Sequence, residues 1–153
     1  MGNKSVTIRP FARLLTMLGD QLIKNEQIAV IELIKNAYDA DADWVTVSFE
    51  GFTESFGMTK DSKIIIEDNG CGMTANIIEN SWMNPATPNK LSVDGSERRT
   101  PLYQRIIQGE KGIGRYAMLK LGRTVKMTTR PSANSVFNFS AEQYAKEYTL
   151  IFD

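Results

Sequence analysis

The stretch KIIIEDNGCGMT at positions 63–74 constrains the fold of this chain more than any other. Its run of isoleucines predicts a buried strand, and the strand ends at a carboxylate, Asp68. Gly70 and Gly72 follow at once, and Asp-Asn-Gly is a common turn sequence, so a tight turn is the simplest interpretation. A carboxylate with little water around it is also a strong acceptor, and glycines let a ligand approach the backbone. The stretch therefore predicts either a plain turn or a binding site at a strand end.

The segments around this stretch show helical and strand-like patterns. The segment 44–50, WVTVSFE, alternates apolar and polar residues and should pair with strand 63–68 as a hairpin with a long connection. Thr74 is a suitable N-cap for a short helix, and Gly122 is a suitable C′ glycine for a helix at 115–121. Further helices are predicted at 11–23, 27–40 and 140–147, and further strands at 124–130, 136–139 and 148–152.

Composition narrows the class of function. The chain has 153 residues, enough for one domain with a core, and its 18 basic and 18 acidic residues cancel. It contains no histidine, which excludes Ser-His-Asp and Cys-His catalysis, histidine-ligated zinc and a phosphoacceptor histidine within this chain. The single cysteine, Cys71, is interpreted as a small filler in a turn. Neither a signal peptide nor a membrane-length apolar run is found, so we expect a cytoplasmic protein with no membrane contact.

The predicted helix at 27–40 carries a polar stripe. At about 100° per residue, Glu32, Asn36 and Asp39 fall within roughly 60° of arc, opposite an apolar face. That face comprises Val30, Leu33, Ile34 and Ala37. A solvated surface is the ordinary explanation of such a stripe. Surface stripes more typically mix Lys and Glu, however, and Asn is a poor helix-interior residue, so the stripe is also a candidate functional set.

The third motif, GEKGIGRYAMLKLG at 109–122, places glycines ahead of a helix. Gly112 and Gly114 would present free amide groups to a phosphate, and Lys111 would add a positive charge. The alternative is a hinge followed by a helix start. The Gly-Lys-Ser/Thr ending of a P-loop is absent. The proline-containing segment before this motif is long for a connection inside a compact domain, so we expect a lid or disorder there.

In this order, the three motifs resemble those of the GHKL superfamily of ATPases, which share the Bergerat nucleotide-binding fold. ELIKNAYDA is similar to the asparagine box of the superfamily, IEDNGCGM to its first glycine box and GEKGIGRYA to its second. The long segment between the glycine boxes corresponds to the ATP lid, here about 74–110. The resemblance covers most of the chain and looks closest to the MORC/MutL-like bacterial branch.

The resemblance implies a role for each matching residue. Asn36 would coordinate Mg²⁺ through its amide oxygen, together with the phosphates of ATP. Asp68 would bind the adenine amino group, with Asp39 supporting an ordered water and Met73 lining the base pocket. Glu32 would orient or deprotonate the attacking water, which favours hydrolysis over phosphotransfer. The remaining nucleotide-binding positions are Gly70 and Gly72 beside the base, and Lys111, Gly112, Ile113 and Gly114 around the phosphates.

The fold that the resemblance implies is an α/β two-layer sandwich, with a mixed β-sheet covered on one face by helices. We expect a single domain over 1–153, truncated at its C-terminus, that turns over poorly as an isolated fragment. Its expected function is Mg-ATP binding and hydrolysis as a conformational switch of a larger protein, with an ATP-dependent homodimer and a DNA or protein client. Two alternatives stay open: a histidine-kinase-type phosphotransfer domain, and a nucleotide-sensing interaction module without turnover.

Overall fold

The computed structural model describes residues 23–55, 57–83, 98–109, 114–132 and 140–152. Within these ranges, helices and antiparallel strands give an α/β fold. The elements, in chain order, are α1 (Glu26–Asp39), β1 (Val45–Glu50), β2 (Lys63–Asp68), α2 (Ala75–Ile77) continuing as a π-helix (Ile78–Trp82), a 3₁₀-helix (Gly114–Ala117) continuing as α3 (Met118–Leu121), β3 (Val125–Thr129), α4 (Ala141–Ala145) and β4 (Tyr148–Phe152). The predicted strand at 136–139 and residues 11–22 of the first predicted helix lie outside the described residues.

Helix α1 begins and ends at recognisable local signals. The side chain of Asn25 accepts a hydrogen bond from the amide of Ile28 (2.8 Å), which satisfies one of the amides left free in the first turn. Ala40 is the C-cap, and Asp41 follows in the left-handed region with a φ of 59°. Asp adopts this region more readily than most residues. The left-handed residue stops the helix and directs the chain toward β1.

Strands β1 and β2 form the predicted antiparallel hairpin. The register places Val45 opposite Asp68 and Glu50 opposite Lys63, and the latter two side chains form a salt bridge of 2.7 Å. The isoleucines of β2 at 64–66 are half-buried, less than the buried strand expected from their sequence. Among the described strands, β1 and β2 pair only with each other. A two-stranded sheet is narrow and buries little surface by itself, so its isoleucines are only partly shielded from water.

Strands β3 and β4 form a second antiparallel pair. Val125 lies opposite Phe152, and Thr129 lies opposite Tyr148. In the described ranges, the four strands therefore form two separate two-stranded sheets, and both ladders are antiparallel. The mixture of helices and strands is as expected. The single mixed sheet is not seen in these ranges, and the two-layer sandwich stays a prediction.

The described core lies between α1 and the segment 114–121. Ala29 and Ala117 are 0% exposed and form one cluster with the buried Ile23. The partly buried residues around this cluster are Ile28, Leu33 and Leu121. Because the separation of packed helices depends on the size of the side chains at their contact, two alanines bring the backbones close together. The polar stripe of α1, which adjoins Ala29, is thereby brought against the glycine-rich end of the other helical segment.

The segment after the first glycines packs through aromatic rings. The hydroxyl of Thr74 accepts a hydrogen bond from the amide of Ile77 (3.3 Å), so the predicted N-cap is confirmed. The ring of Trp82, in the π-helix, lies 5.8 Å from the ring of Tyr116 and 6.2 Å from that of Phe152. The contacts join this segment both to the 3₁₀-helix and to β4.

Helix α3 ends at Leu121, directly before Gly122, as predicted. Gly122 itself has a φ of −159° and a ψ of 157°, which is extended backbone and not the left-handed conformation common for a glycine after a helix. Helix α3 is four residues long and β3 begins at Val125, so the chain straightens directly into the strand. No left-handed turn is needed when a helix runs straight into an extended segment.

Candidate functional site

The first glycine loop, residues 68–73, is held from two sides. On one side, the amide of Cys71 donates to the carbonyl of Ala40, the C-cap of α1 (2.8 Å). On the other side, the carbonyl of Cys71 accepts a hydrogen bond from the amide of Ser132 (2.9 Å), beyond the end of β3. The loop therefore bridges the C-terminal end of α1 and the chain that follows β3.

Both glycines of this loop are required by close packing against other backbone. Gly72 has a φ of 63°, and a Cβ at that position would collide with the carbonyl of Arg130. Gly70 lies against Ala40, whose Cβ and carbonyl oxygen would each be 2.8 Å from a Cβ at position 70. The two glycines thus serve the packing of the loop itself, in addition to any room that they leave for a ligand.

Asp68 and Met73, two residues predicted to contact a base, lie at the two ends of this loop. One carboxylate oxygen of Asp68 accepts a hydrogen bond from the amide of Gly70 (2.9 Å), and the amide of Met73 donates to the hydroxyl of Thr129 (3.0 Å). Asp68 is exposed, which corrects the expectation of a carboxylate with little water around it at the end of a buried strand. It is the last residue of a two-stranded hairpin, so no third described strand covers it.

The polar stripe of α1 faces the start of the second helical segment. Glu32, Asn36 and Asp39 are all half-buried, so the stripe is not a fully solvated face. The carboxylate of Glu32 lies so close to Gly114 that a Cβ on that glycine would collide with it. The same carboxylate pairs with Lys35 along the helix (2.9 Å). Gly114 therefore lets a carboxylate reach the backbone of the glycine-rich segment.

Asp39 contacts the other flank of the same glycine-rich segment. Its two carboxylate oxygens accept hydrogen bonds from the backbone amides of Gln108 (2.8 Å) and Gly109 (2.9 Å). One stripe of α1 thus touches the chain on both sides of positions 110–113. The residues predicted to hold phosphates inside that interval, Lys111, Gly112 and Ile113, lie outside the described residues.

Asn36 lies between these two carboxylates on the stripe. It is half-buried, and its side-chain amide offers both an oxygen acceptor and N–H donors. An amide oxygen has two lone pairs, with which it can accept a hydrogen bond from a ligand or coordinate a cation. In the described ranges, no group of three or more acidic or cysteine side chains could hold a metal ion.

Asp41 was not among the residues predicted from the sequence to form the site. Its side chain is only 7% exposed and accepts hydrogen bonds from the hydroxyl of Thr100, the amide of Leu102 (2.8 Å) and the amide of Tyr103 (3.3 Å). In the sequence it is one of several acids after a helix. Only the tolerance of Asp for left-handed backbone could have marked it.

Arg115 and Tyr116, also not predicted, tie the second helical segment to the π-helix. The buried guanidinium of Arg115 donates to the carbonyls of Ser81 (2.9 Å) and Trp82 (2.8 Å), and the hydroxyl of Tyr116 donates to the carbonyl of Trp82 (3.2 Å). Burial lowers the pKa of the Arg115 guanidinium. Carbonyls at a helix end carry partial negative charge and satisfy the cation without a carboxylate. The residues after Gly114 are thereby fixed to the segment that follows the first glycine loop.

We expect Cys71 to react slowly with thiol reagents in the folded chain. Burial raises the pKa of its thiol, and the carboxylates of Asp41 and Asp68 raise it further, so less thiolate is present near pH 8 than in an unfolded chain. The rate of alkylation by iodoacetamide, folded against denatured, measures this on the same single thiol. The difference should shrink as the pH rises through the folded pKa. Equal rates at pH 8 would contradict the expectation.

These features define a class of protein: an α/β domain in which one helix contacts the first glycine loop through its C-cap and flanks a second glycine-rich segment through its polar stripe. A family model described as histidine kinase-, DNA gyrase B-, and HSP90-like ATPase matches residues 24–150. The chain belongs to this family, and so to the GHKL superfamily that its motifs resemble. Domains of this superfamily bind ATP, usually with Mg²⁺. Neither a curated protein nor a solved structure matches the chain. None of the helices in the described ranges is long and apolar enough to cross a membrane.

Proposed function

We propose that this chain binds ATP together with Mg²⁺ and hydrolyses it. One observation carries the proposal: Glu32 and Asp39 flank the second glycine-rich segment, and the end of the same helix bonds to the first glycine loop through Ala40. One helix would thus position both a base site and a phosphate site. Membership of the family supports ATP as the ligand.

The base would be recognised at the first glycine loop. One oxygen of Asp68 is bonded to Gly70, and the other accepts no hydrogen bond from the described residues, so it is available to the adenine amino group. Met73 would line the base pocket, and Gly72 would let the base approach the loop. Asp39 would support an ordered water beside the base, since a carboxylate has about four acceptor sites and two are occupied by backbone amides.

The phosphates would lie against Lys111, Gly112, Ile113 and Gly114. Backbone amides that precede a helix, together with the partial positive charge of its first turn, favour bound anions. Lys111 would add a compact positive charge, as lysines in phosphate sites do. The position of Gly114 beside Glu32 supports the placement of this segment next to the acidic stripe.

Asn36 is suited to a magnesium ion bound with the phosphates. Its half-buried amide offers an oxygen ligand, the donor type that Mg²⁺ prefers, and Mg²⁺ in nucleotide sites takes few protein ligands. When bound, Mg²⁺ neutralises phosphate charge. Asn36 would hold the ion at the centre of the stripe, where Glu32 and Asp39 would otherwise repel the phosphates.

Glu32 would act as the general base toward water. It is half-buried, one helical turn before Asn36, and its carboxylate reaches the backbone at Gly114. A carboxylate in that position favours hydrolysis over phosphotransfer, because it can accept a proton from water beside the phosphates. The rival assignments, a histidine-kinase-type phosphotransfer domain and a nucleotide sensor without turnover, give Glu32 no such task.

The wider setting of the domain belongs to the same proposal. A single domain over 1–153, with a lid about 74–110, would act as a conformational and dimerisation switch in a larger cytoplasmic protein. We place it nearest the MORC/MutL-like branch on the motifs ELIKNAYDADA and KGIGRYAMLKLG. Its client would be DNA or protein. Such a switch would couple ATP binding to lid closure and hydrolysis to release.

Thermal unfolding with and without Mg-ATP tests the binding site. Nucleotide at 100 times its Kd should stabilise the fold by about 2.7 kcal/mol, which raises Tm by roughly 5–10 °C for a domain of this size. Asp68→Ala should abolish most of the shift, because it removes the acceptor for the adenine amino group. The matched control is Asp61→Ala, which removes an exposed carboxylate in the loop between β1 and β2. A full shift in Asp68→Ala, or none in the unaltered chain, would refute the assignment.

A further inference from the structure

The turn that ends α1, residues 39–43, holds the first glycine loop on one side. The carbonyl of Ala40 accepts from the amide of Cys71 (2.8 Å). The side-chain oxygen of Asn69 accepts from the amides of Asp43 (2.8 Å) and Trp44 (3.2 Å). The position of the turn therefore decides the position of the loop.

The same turn holds a second segment, residues 98–109, on its other side. This segment folds back on itself: the amide of Ile107 donates to the carbonyl of Arg98 (2.9 Å), and the amide of Thr100 donates to the carbonyl of Arg105 (2.8 Å). The amide of Arg105 returns a hydrogen bond to the hydroxyl of Thr100 (3.0 Å). Residues 98–107 are therefore one small antiparallel unit, whose outgoing arm continues directly into Gln108.

Asp41 holds the bend of this unit. It accepts hydrogen bonds from Thr100, Leu102 and Tyr103, and it is buried. A buried carboxylate is unfavourable unless it is well hydrogen-bonded, and here the donors all come from one segment of the chain. The bend cannot move away from α1 without leaving this charge unsatisfied.

Arg105 strengthens the same contact from the side of the segment. Its guanidinium donates to the carbonyl of Ala42 (2.7 Å) and lies over the rings of Tyr38 and Tyr103, 4.9 Å and 4.6 Å from their centroids. Asp39 then binds the outgoing arm at Gln108 and Gly109. The bend and the arm are thus held by acids two residues apart on the same turn.

We propose that Asp41 is a positioning residue for the second glycine-rich segment. In the described ranges its side chain bonds to Thr100, Leu102 and Tyr103, which are not assigned to the nucleotide. By fixing the unit 98–107, it sets where Gln108 and Gly109 meet Asp39. The part of the inference that concerns nucleotide affinity rests on the proposed function. The first glycine loop is held by backbone groups of Ala40, Asp43 and Trp44, so it should keep its position when the Asp41 side chain is changed.

Hydrogen exchange of the nucleotide-free chain tests the positioning directly. Asp41→Asn keeps a residue that tolerates left-handed backbone but weakens the acceptor. We expect the amides of Gln108 and Gly109 to exchange about tenfold faster, the loss typical of a hydrogen bond to a charged group. Amides in the middle of α1, such as that of Leu33, should exchange as before. Unchanged exchange at 108–109, or equal acceleration throughout α1, would overturn the proposal.

A pair of variants at Thr100 checks the result independently of Asp41. Thr100→Val removes the hydroxyl at nearly constant volume and should reproduce the faster exchange at 108–109. Thr100→Ser keeps the hydroxyl and should restore slow exchange. Asp61→Asn, at an exposed position in the hairpin loop, is the control for the change of charge. If the Ser and Val variants behave alike, the contact between Thr100 and Asp41 does not position the arm.

Nucleotide titrations extend the test to the site. Asp41→Asn should weaken the binding of ATP about tenfold and leave that of adenosine unchanged, because only ATP reaches the second glycine-rich segment. If exchange at 108–109 becomes faster and the affinity for ATP does not change, the position of these residues does not affect nucleotide binding, and that part of the proposal is overturned. If the unaltered chain binds no ATP, the proposed function fails, and the exchange experiment still decides whether Asp41 positions the arm.

Discussion

Glu32→Gln should retain Mg-ATP binding and lose phosphate release by at least about a hundredfold, or roughly 2.7 kcal/mol of transition-state stabilisation. The substitution keeps the shape of the side chain beside Gly114 but removes its capacity to accept a proton. The ion pair with Lys35 is also lost, but both side chains are partly exposed, at 25% and 41%, so little stability should go with it. Single-turnover phosphate release, measured beside the Mg-ATP thermal shift, separates the chemical step from binding.

The matched control for Glu32→Gln is Glu26→Gln, the same change in the first turn of the same helix, at an exposed position. It should leave phosphate release unchanged. If Glu32→Gln releases phosphate at the rate of the unaltered chain, Glu32 is not the base, and the phosphotransfer or sensor assignment is then favoured. If it loses the thermal shift as well, Glu32 serves binding instead.

Gly72→Ala should destabilise the fold by about 3–5 kcal/mol, since it combines left-handed strain with a backbone collision and the loss of loop hydrogen bonds. The new Cβ would meet the carbonyl of Arg130, and backbone has no rotamer with which to yield. Relief requires the loop to withdraw from β3, which breaks the contact of Met73 with Thr129 and that of Cys71 with Ser132. Chemical denaturation measures the loss.

Gly122→Ala provides the comparison for Gly72→Ala. Gly122 is also a glycine between an element and a loop, but its φ of −159° suits any residue, and the nearest atom to a Cβ there is 3.5 Å away. We expect the free energy of unfolding to change by less than about 1 kcal/mol. Any change should be a stabilisation, because alanine reduces the conformational entropy of the unfolded chain. If Gly72→Ala costs as little stability as Gly122→Ala, a small shift of the loop relieves the collision at Gly72.

The hairpin and the helix cap could be predicted because each depends on residues that lie close together in the sequence. The hairpin of β1 and β2 follows from alternation in 44–50 and from the apolar run at 64–66. The N-cap at Thr74 follows from a side chain that bonds within its own turn. The helix end at Gly122 was also predicted, but the extended conformation of this glycine was not, because a glycine after a helix is compatible with both extended and left-handed backbone.

Only part of the candidate site could be predicted from the sequence. The stripe of Glu32, Asn36 and Asp39 could be seen from helical periodicity, but its partners could not. The contact of Asp39 with Gly109 joins residues 70 positions apart. The prediction that Asp68 is shielded from water was wrong. Burial depends on which strands cover a hairpin and not on the residues within it.

By itself, the sequence determined the residue types and their order: an acid–amide–acid stripe on a helix, a carboxylate and two glycines at a strand end, and a second run of glycines before a helix. These are properties of short segments, which periodicity and turn chemistry control. The tertiary structure alone decided which groups meet. Two alanines bring Glu32 to Gly114, and the left-handed turn at Asp41 gathers residues 100–103 around a buried carboxylate. Such contacts depend on the packing of distant segments, because a buried charge takes whichever donors the whole fold brings to it.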